Sequence, residues 1–162
     1  MHASVLTMND TSSLAQLAGS RRPQSLVEVL TWGLTLGGID AFLREFMDEF
    51  YTQKNPEKLA AMIEGEPPLG VNDRANAYLA AVAEHLARRY GLPIPAWTEG
   101  PGRALKLPFF PCGLESLKAT LLIESPIAFR RRMIFVDADP LYRPRRDAIG
   151  IGETVVELHS KP

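Results

Sequence analysis

Between two helical patterns this chain carries a long run of prolines and aromatics with no regular period. It reads Pro93-Ile94-Pro95-Ala96-Trp97, then Leu107-Pro108-Phe109-Phe110-Pro111-Cys112-Gly113-Leu114, then Ser125-Pro126-Ile127-Ala128-Phe129, and ends in Met133-Ile134-Phe135-Val136. Left in water, so much apolar surface would cost hydration free energy with no compensating contact, so it must lie on a core. Residues 92–112 alone exceed the usual length of a structureless connection in a compact domain, which implies a functional or partly helical segment. Trp97, Phe109, Phe110, Phe129 and Phe135 are expected to pack together.

What they pack on is helical. Ser25-Leu26-Val27-Glu28 is a capping box, opening a helix to about Leu36 that Gly37-Gly38 stops. From Ile39 the apolar residues Phe42, Leu43, Phe46, Met47, Phe50 and Tyr51 recur at helical spacing, predicting an amphipathic helix over about 40–54 with Arg44, Glu45, Asp48 and Glu49 on its other face. Asn55-Pro56 caps a short helix with Leu59, Met62 and Ile63 inward, ended by Gly65. Asn72 or Asp73 caps a longer one to Tyr90, with Ala75, Tyr78, Leu79, Val82, Leu86 and Tyr90 as its stripe and Gly91 with Pro93 as its stop. A helix over Leu114–Glu124 with Leu114, Leu117, Leu121 and Leu122 inward is followed by a short one over Pro126–Arg132. Met133–Val136 is either a strand or an extended segment on the core. The expected fold is mainly α: a compact orthogonal domain of about five main helices over 25–142, with the Pro/aromatic loop packed across it. Residues 1–24 read as a mostly disordered arm with room for a short helix over Ser12–Leu17, and residues 143–162 as a tail.

At 162 residues and a net charge of −1, a single core is feasible without disulfides or metals, and the charge argues against affinity built on phosphates. Cys112 is the sole cysteine, so an internal disulfide is impossible and a reducing, cytoplasmic compartment is the expectation. Met1–Gly19 lacks the pattern of a secretory signal, and no run approaches the ~18 apolar residues of a membrane helix.

Chemical signatures are sparse. His2, His85 and His159 lie too far apart to share a zinc, and His85 reads as a satisfied helix-surface residue. Cys112 precedes a predicted helix, which could activate its thiol, yet a free cysteine is more often a small buried hydrophobe. Asp137 and Asp139 fit a Mg²⁺ pair or, equally, a turn. Gly100-Pro101-Gly102-Arg103 reads as a bend. Residues 25–51 could be drawn as a helix-turn-helix, but Glu45, Asp48 and Glu49 would face the phosphates, so an αα-hairpin is the better reading. The charge asymmetry says more. Arg130, Arg131, Arg132, Arg143, Arg145 and Arg146 crowd a short span, while the helices over 40–66 are acidic. These arginines either pair with the chain's own carboxylates, with a helix C-terminus as further reward, or form a patch for an acidic protein partner or for nucleic acid.

Leu86-Ala87-Arg88-Arg89-Tyr90-Gly91-Leu92-Pro93-Ile94-Pro95-Ala96-Trp97, Leu107-Pro108-Phe109-Phe110, Gly113-Leu114-Glu115-Ser116-Leu117 and Ser125-Pro126-Ile127-Ala128-Phe129-Arg130-Arg131-Arg132-Met133-Ile134-Phe135-Val136 are the matching text of a resemblance. Over about residues 72–137 the chain resembles a family of small bacterial proteins encoded beside nucleotidyltransferase-like proteins, in the manner of toxin–antitoxin pairs. Members with a Trp in the second motif differ from this chain, where Phe109-Phe110 stands. Some carry a DNA-binding helix-turn-helix ahead of this module, and this chain has no good one.

The resemblance implies no catalytic residue. With the basic cluster, it leads to the expectation of a non-enzymatic protein-interaction module without cofactors or metal. Its partner would be acidic, a toxin neutralised by occlusion. A homodimer is the other expected assembly, because the Phe-rich helix looks too apolar for one chain to cover. The alternatives are a DNA-binding regulator using the arginine-rich C-terminal region, and an enzyme using Cys112 or Asp137 with Asp139.

Overall fold

The computed structural model describes residues 8–70 and 72–144. Among them run seven α-helices: α1 (Met8–Ser20), α2 (Leu26–Leu36), α3 (Ile39–Thr52), α4 (Pro56–Glu64), α5 (Asp73–Tyr90), α6 (Lys118–Glu124) and α7 (Ile127–Arg130). Short 3-10 turns lie at Ala96–Glu99 and Glu115–Leu117. The protein is mainly helical, and no helix among the described residues is long and apolar enough to cross a membrane.

Local signals set most boundaries. Ser25 accepts the Glu28 N–H at 3.2 Å, but Glu28 does not close the reciprocal half of the box. Its carboxylate accepts the Gln24 N–H and both guanidinium ends of Arg21 instead. That ion pair ties down the end of α1. Of the arm expected over 1–24, Met8–Ser20 form α1, which contains the short helix allowed over Ser12–Leu17 and packs on α2, and Arg21 lies 5.1 Å over the Trp32 ring; residues 1–7 lie outside the described residues. The stability of α1 comes from contacts with α2, which its own sequence does not reveal.

Gly37 and Gly38 both take positive φ, 83° and 96°, and reverse the chain between α2 and α3. The αα-hairpin closes tightly because Gly33 has no side chain: a Cβ there would stand 2.7 Å from Ile39 Cα. Leu43, Phe46, Met47 and Phe50 of α3 are all buried within this chain. The Phe-rich stripe thus needs no second copy to cover it, which removes that argument for a homodimer.

α5 is the hub. Asn72 caps its first turn, and Gly91 (φ 64°) ends it, with the Leu92 N–H returning to the Ala87 carbonyl at 2.8 Å. The predicted single stripe is too narrow. Ala77, Ala80, Ala81, Ala83 and Ala87 are buried as well as Leu79, Val82 and Leu86, so α5 is enclosed on most sides by α4, the Ala96–Glu99 turn and α7. Alanine permits this, since its short side chain lets neighbouring backbones close in on several faces at once.

The Pro/aromatic run then crosses the helices, as expected. Phe109 donates to the Met133 carbonyl at 2.8 Å and accepts from Phe135 at 2.9 Å, an isolated parallel bridge centred on Ile134. Met133 closes the turn after α7 with φ 61° and its N–H on the Arg130 carbonyl, so only residues 134–136 of the expected segment lie along the core; Ile134 is fully buried, and Ser125 Oγ pins the end by accepting the Val136 N–H at 2.8 Å. α6 reverses the expectation made for it. Only Leu121 is buried, while Leu114, Leu117 and Leu122 face outward.

Candidate functional site

The arginine cluster is the first candidate, and most of what is described of it turns inward. Glu84, in the middle of α5, has no exposed surface. Its carboxylate accepts Arg132 Nη1 on one oxygen and Arg88 Nε (2.8 Å) with Arg131 Nη1 (3.2 Å) on the other. Arg132 is itself only 2% exposed and also donates to the carbonyls of Ala128 (2.7 Å) and Thr98 (2.8 Å). Arg131 reaches Glu99 as well, at 2.7 Å. Burial pushes the Glu84 carboxyl up, but the hydrogen bonds from Arg132 and Arg88 outweigh it and hold the group below its ordinary value. Arg143 makes a bidentate pair with Asp48 of α3 at 2.9 and 3.0 Å. The patch expected from Arg130, Arg131, Arg132 and Arg143 is thus corrected to one residue: Arg130 alone of these is exposed with no ion pair among the described residues. Arg145 and Arg146 lie outside the described residues.

The five aromatics do not form one cluster either. Phe110 stacks on Phe135 with ring centroids 5.1 Å apart, whereas Phe129 meets Tyr78 and His85 edge-on. Trp97 donates its indole N–H to the Ile63 carbonyl at 3.2 Å, with the Arg103 guanidinium 4.8 Å over its ring. Phe109 carries the Arg74 guanidinium at 4.2 Å. The prolines between them impose separate landings on the helices, so each ring finds its own neighbours.

Cys112 is exposed, not buried. It sits in a turn closed by the Gly113 N–H to the Phe110 carbonyl, and the next α-helix along the chain starts only at Lys118, so the helix expected directly after it does not begin there. Asp137 accepts the Asp139 N–H at 3.0 Å and Asp139 accepts Arg89 at 2.7 Å, the turn reading of that pair. No group of three or more His, Cys, Asp or Glu stands together as metal ligands among the described residues. His85 is not a satisfied surface residue: its Nε2 is buried without a hydrogen-bond partner. Burial, and then Arg89, push its pKa below the ordinary value, with Asp139 partly opposing.

Two surface features remain. One is apolar. Leu107 and Ile123 are 77% exposed, and Leu114, Leu117, Leu122 and Ile127 are all more than 40% exposed. In α6, Ala119, Leu122 and Ile123 stand at i, i+3 and i+4 on one outward face. Ile127 and Arg130 share a face of α7 in the same way.

The second feature is a groove of about 530 Å³ between the first turns of α3 and α5, lined in part by Asp40, Leu43, Arg74, Tyr78, Phe109 and Pro111. Burial, with the Asp40 carboxylate adding, pushes the Tyr78 hydroxyl up to about 12, so it stays protonated at neutral pH.

Sequence reasoning missed Glu84, Arg103, Asp40 and Arg74. Glu84 had a signal, a carboxylate set among alanines and leucines where a helix face should be dry. Arg103, 1% exposed and bonded to the Pro67 carbonyl and Glu66, had none. Comparison with protein-family models, curated proteins and solved structures finds no match for the chain.

Proposed function

We propose that this chain is a non-enzymatic protein-interaction module of a bacterial cytoplasm, antitoxin-like in role. It would neutralise a nucleotidyltransferase-like toxin by covering part of its surface. The observation that carries the reading is the outward apolar face of α6 and its flanks, where Leu114, Leu117, Leu122, Ile123 and Ile127 are exposed within one short stretch of chain, whereas the other exposed large apolar residues, such as Leu34, Leu69 and Tyr142, are scattered along it. Apolar patches of this kind mark contact surfaces, because water is the poorer neighbour for them. Arg130 at the edge of the patch supplies the charge that meets an acidic group of the partner. The mechanism differs from the arginine-led contact expected above: apolar burial supplies affinity, and one cation supplies orientation.

The test is co-expression with the product of the adjacent gene, followed by pull-down and size-exclusion chromatography with light scattering. A stable hetero-complex that relieves the neighbour's toxicity, and that Leu122→Asp with Ile123→Asp abolishes, is the expected result. Absence of a complex overturns the reading. Salt-sensitive binding to duplex DNA in its place would favour a regulator acting through the arginine-rich C-terminal region.

A further inference from the structure

The groove between α3 and α5 has a charge arrangement unlike the rest of the molecule. Arg21, Arg22, Arg88, Arg89, Arg131, Arg132 and Arg143 each hold a carboxylate of this chain. Arg74 does not. It is exposed, its guanidinium lies over the Phe109 ring at 4.2 Å, and it makes no ion pair with an acid among the described residues. Asp40, on the α3 wall, is likewise exposed, and Arg44 one turn along makes no ion pair with it. Leu43, at i+3 from Asp40 on α3, and Tyr78, at i+4 from Arg74 on α5, line the same groove.

We propose that this groove takes an extended segment of a partner polypeptide, one that places a cationic side chain at Asp40, an anionic one at Arg74 and an apolar one between them. The proposal rests on the interaction-module reading and adds a second contact to it. A single small ion fits poorly, since either sign is attracted by one wall and repelled by the other. An extended strand sends alternate side chains to one side about 7 Å apart, which suits two charged walls and an apolar floor. The carboxylate meets a guanidinium that already rests against the Phe109 ring.

The probe is an array of acetylated, amidated heptapeptides in which Lys and Glu stand one to three residues apart around a Leu, in both orders. Control peptides carry two Lys, two Glu or neither. The full chain is tested beside Asp40→Lys, Arg74→Glu and the double variant, with melting curves to verify folding, and affinities for the best peptides are read by fluorescence anisotropy. Mixed-charge peptides are expected to bind, each single reversal to weaken binding about tenfold or more, and the double reversal to restore it with the opposite residue order preferred. A blank array, binding that follows peptide net charge alone, or indifference to both single reversals overturns the proposal. Leu122→Asp with Ile123→Asp should leave peptide binding intact, so loss of the α6 contact and loss of the groove contact are told apart.

Discussion

α5 and α6 invert what their compositions suggest. α5, rich in alanine and carrying Glu84, Arg88 and Arg89, is the most enclosed helix, whereas α6, with two leucines and an isoleucine in seven residues, exposes most of its apolar side chains. The difference is one of neighbours. Alanine lets α4, the Ala96–Glu99 turn and α7 approach α5, and the carboxylate among them is neutralised by Arg88 of α5 and by Arg131 and Arg132 just past α7. α6 lies within the apolar crossing, with Leu121 facing the core, while among the described residues Leu122 and Ile123 stay largely exposed. Hydrophobicity says which residues prefer cover, and only tertiary structure decides whether cover exists.

The comparison breaks most sharply at Glu84. Removing its carboxylate leaves Arg132 charged and buried with two carbonyls and the more distant Glu99 carboxylate, 3.7 Å away, to hold it, at an expected cost of about 3–5 kcal/mol. Denaturant unfolding of Glu84→Ala measures this. A change below about 1 kcal/mol would show that the pair is not the closed junction described above. The double variant Glu84→Leu, Arg132→Met should recover much of the loss, because a buried pair replaced by apolar groups of similar size is often neutral.

Enlarging an alanine of α5 tests the enclosure itself. Ala81 has no exposed surface, so Ala81→Leu should destabilise by about 1–3 kcal/mol despite leucine's good helix propensity. A neutral result would mean that the neighbouring backbones stand further off than close packing requires.

How much of this could be read from the sequence follows the same division. Caps and stops at Ser25, Asn55, Asn72 and Gly91 are local chemistry and were legible, as was the α3 stripe. The Glu84–Arg132 pair joins residues 48 apart and was not, although Arg132 was visible as part of a cluster with two readings. For α6 the period placed Leu114, Leu117, Leu121 and Leu122 inward and was right only for Leu121, since periodicity cannot say on which side the rest of the protein lies. In the candidate site, Arg130 was legible and Arg74 was not, because the Phe109 ring that holds it lies 35 residues away along the chain.

α5 also carries the domain's clearest response to mild acid. The folded-state pKa of His85 lies below that of the unfolded chain, so the neutral form is favoured by folding and the unfolded state binds the proton first. Stability is then full above the unfolded value near 6.5 and declines as pH falls below it, by at most ~1.4 kcal/mol per pH unit from this one group. The Arg89–Asp139 pair facing the imidazole limits the effect, since its two charges oppose each other there. Unfolding free energies between pH 5 and 8 for the wild type and His85→Leu should diverge in slope only below about pH 6.5. Parallel curves would remove His85 as the titrating group.

The smallest expected effect is the one that isolates α6. Ile123 is 77% exposed, so Ile123→Lys gives up almost no burial in the free protein and should change stability by no more than about 0.5 kcal/mol. The same substitution places a strongly hydrated ammonium in the middle of the apolar face, where any partner covering Leu122 and Ile127 would have to bury it or stay away. A variant that melts with the wild type yet loses its partner therefore separates surface from core in one residue. A large drop in melting temperature would carry the opposite lesson: Ile123 would be packed, α6 would belong with α5, and the contrast between the two helices would fail.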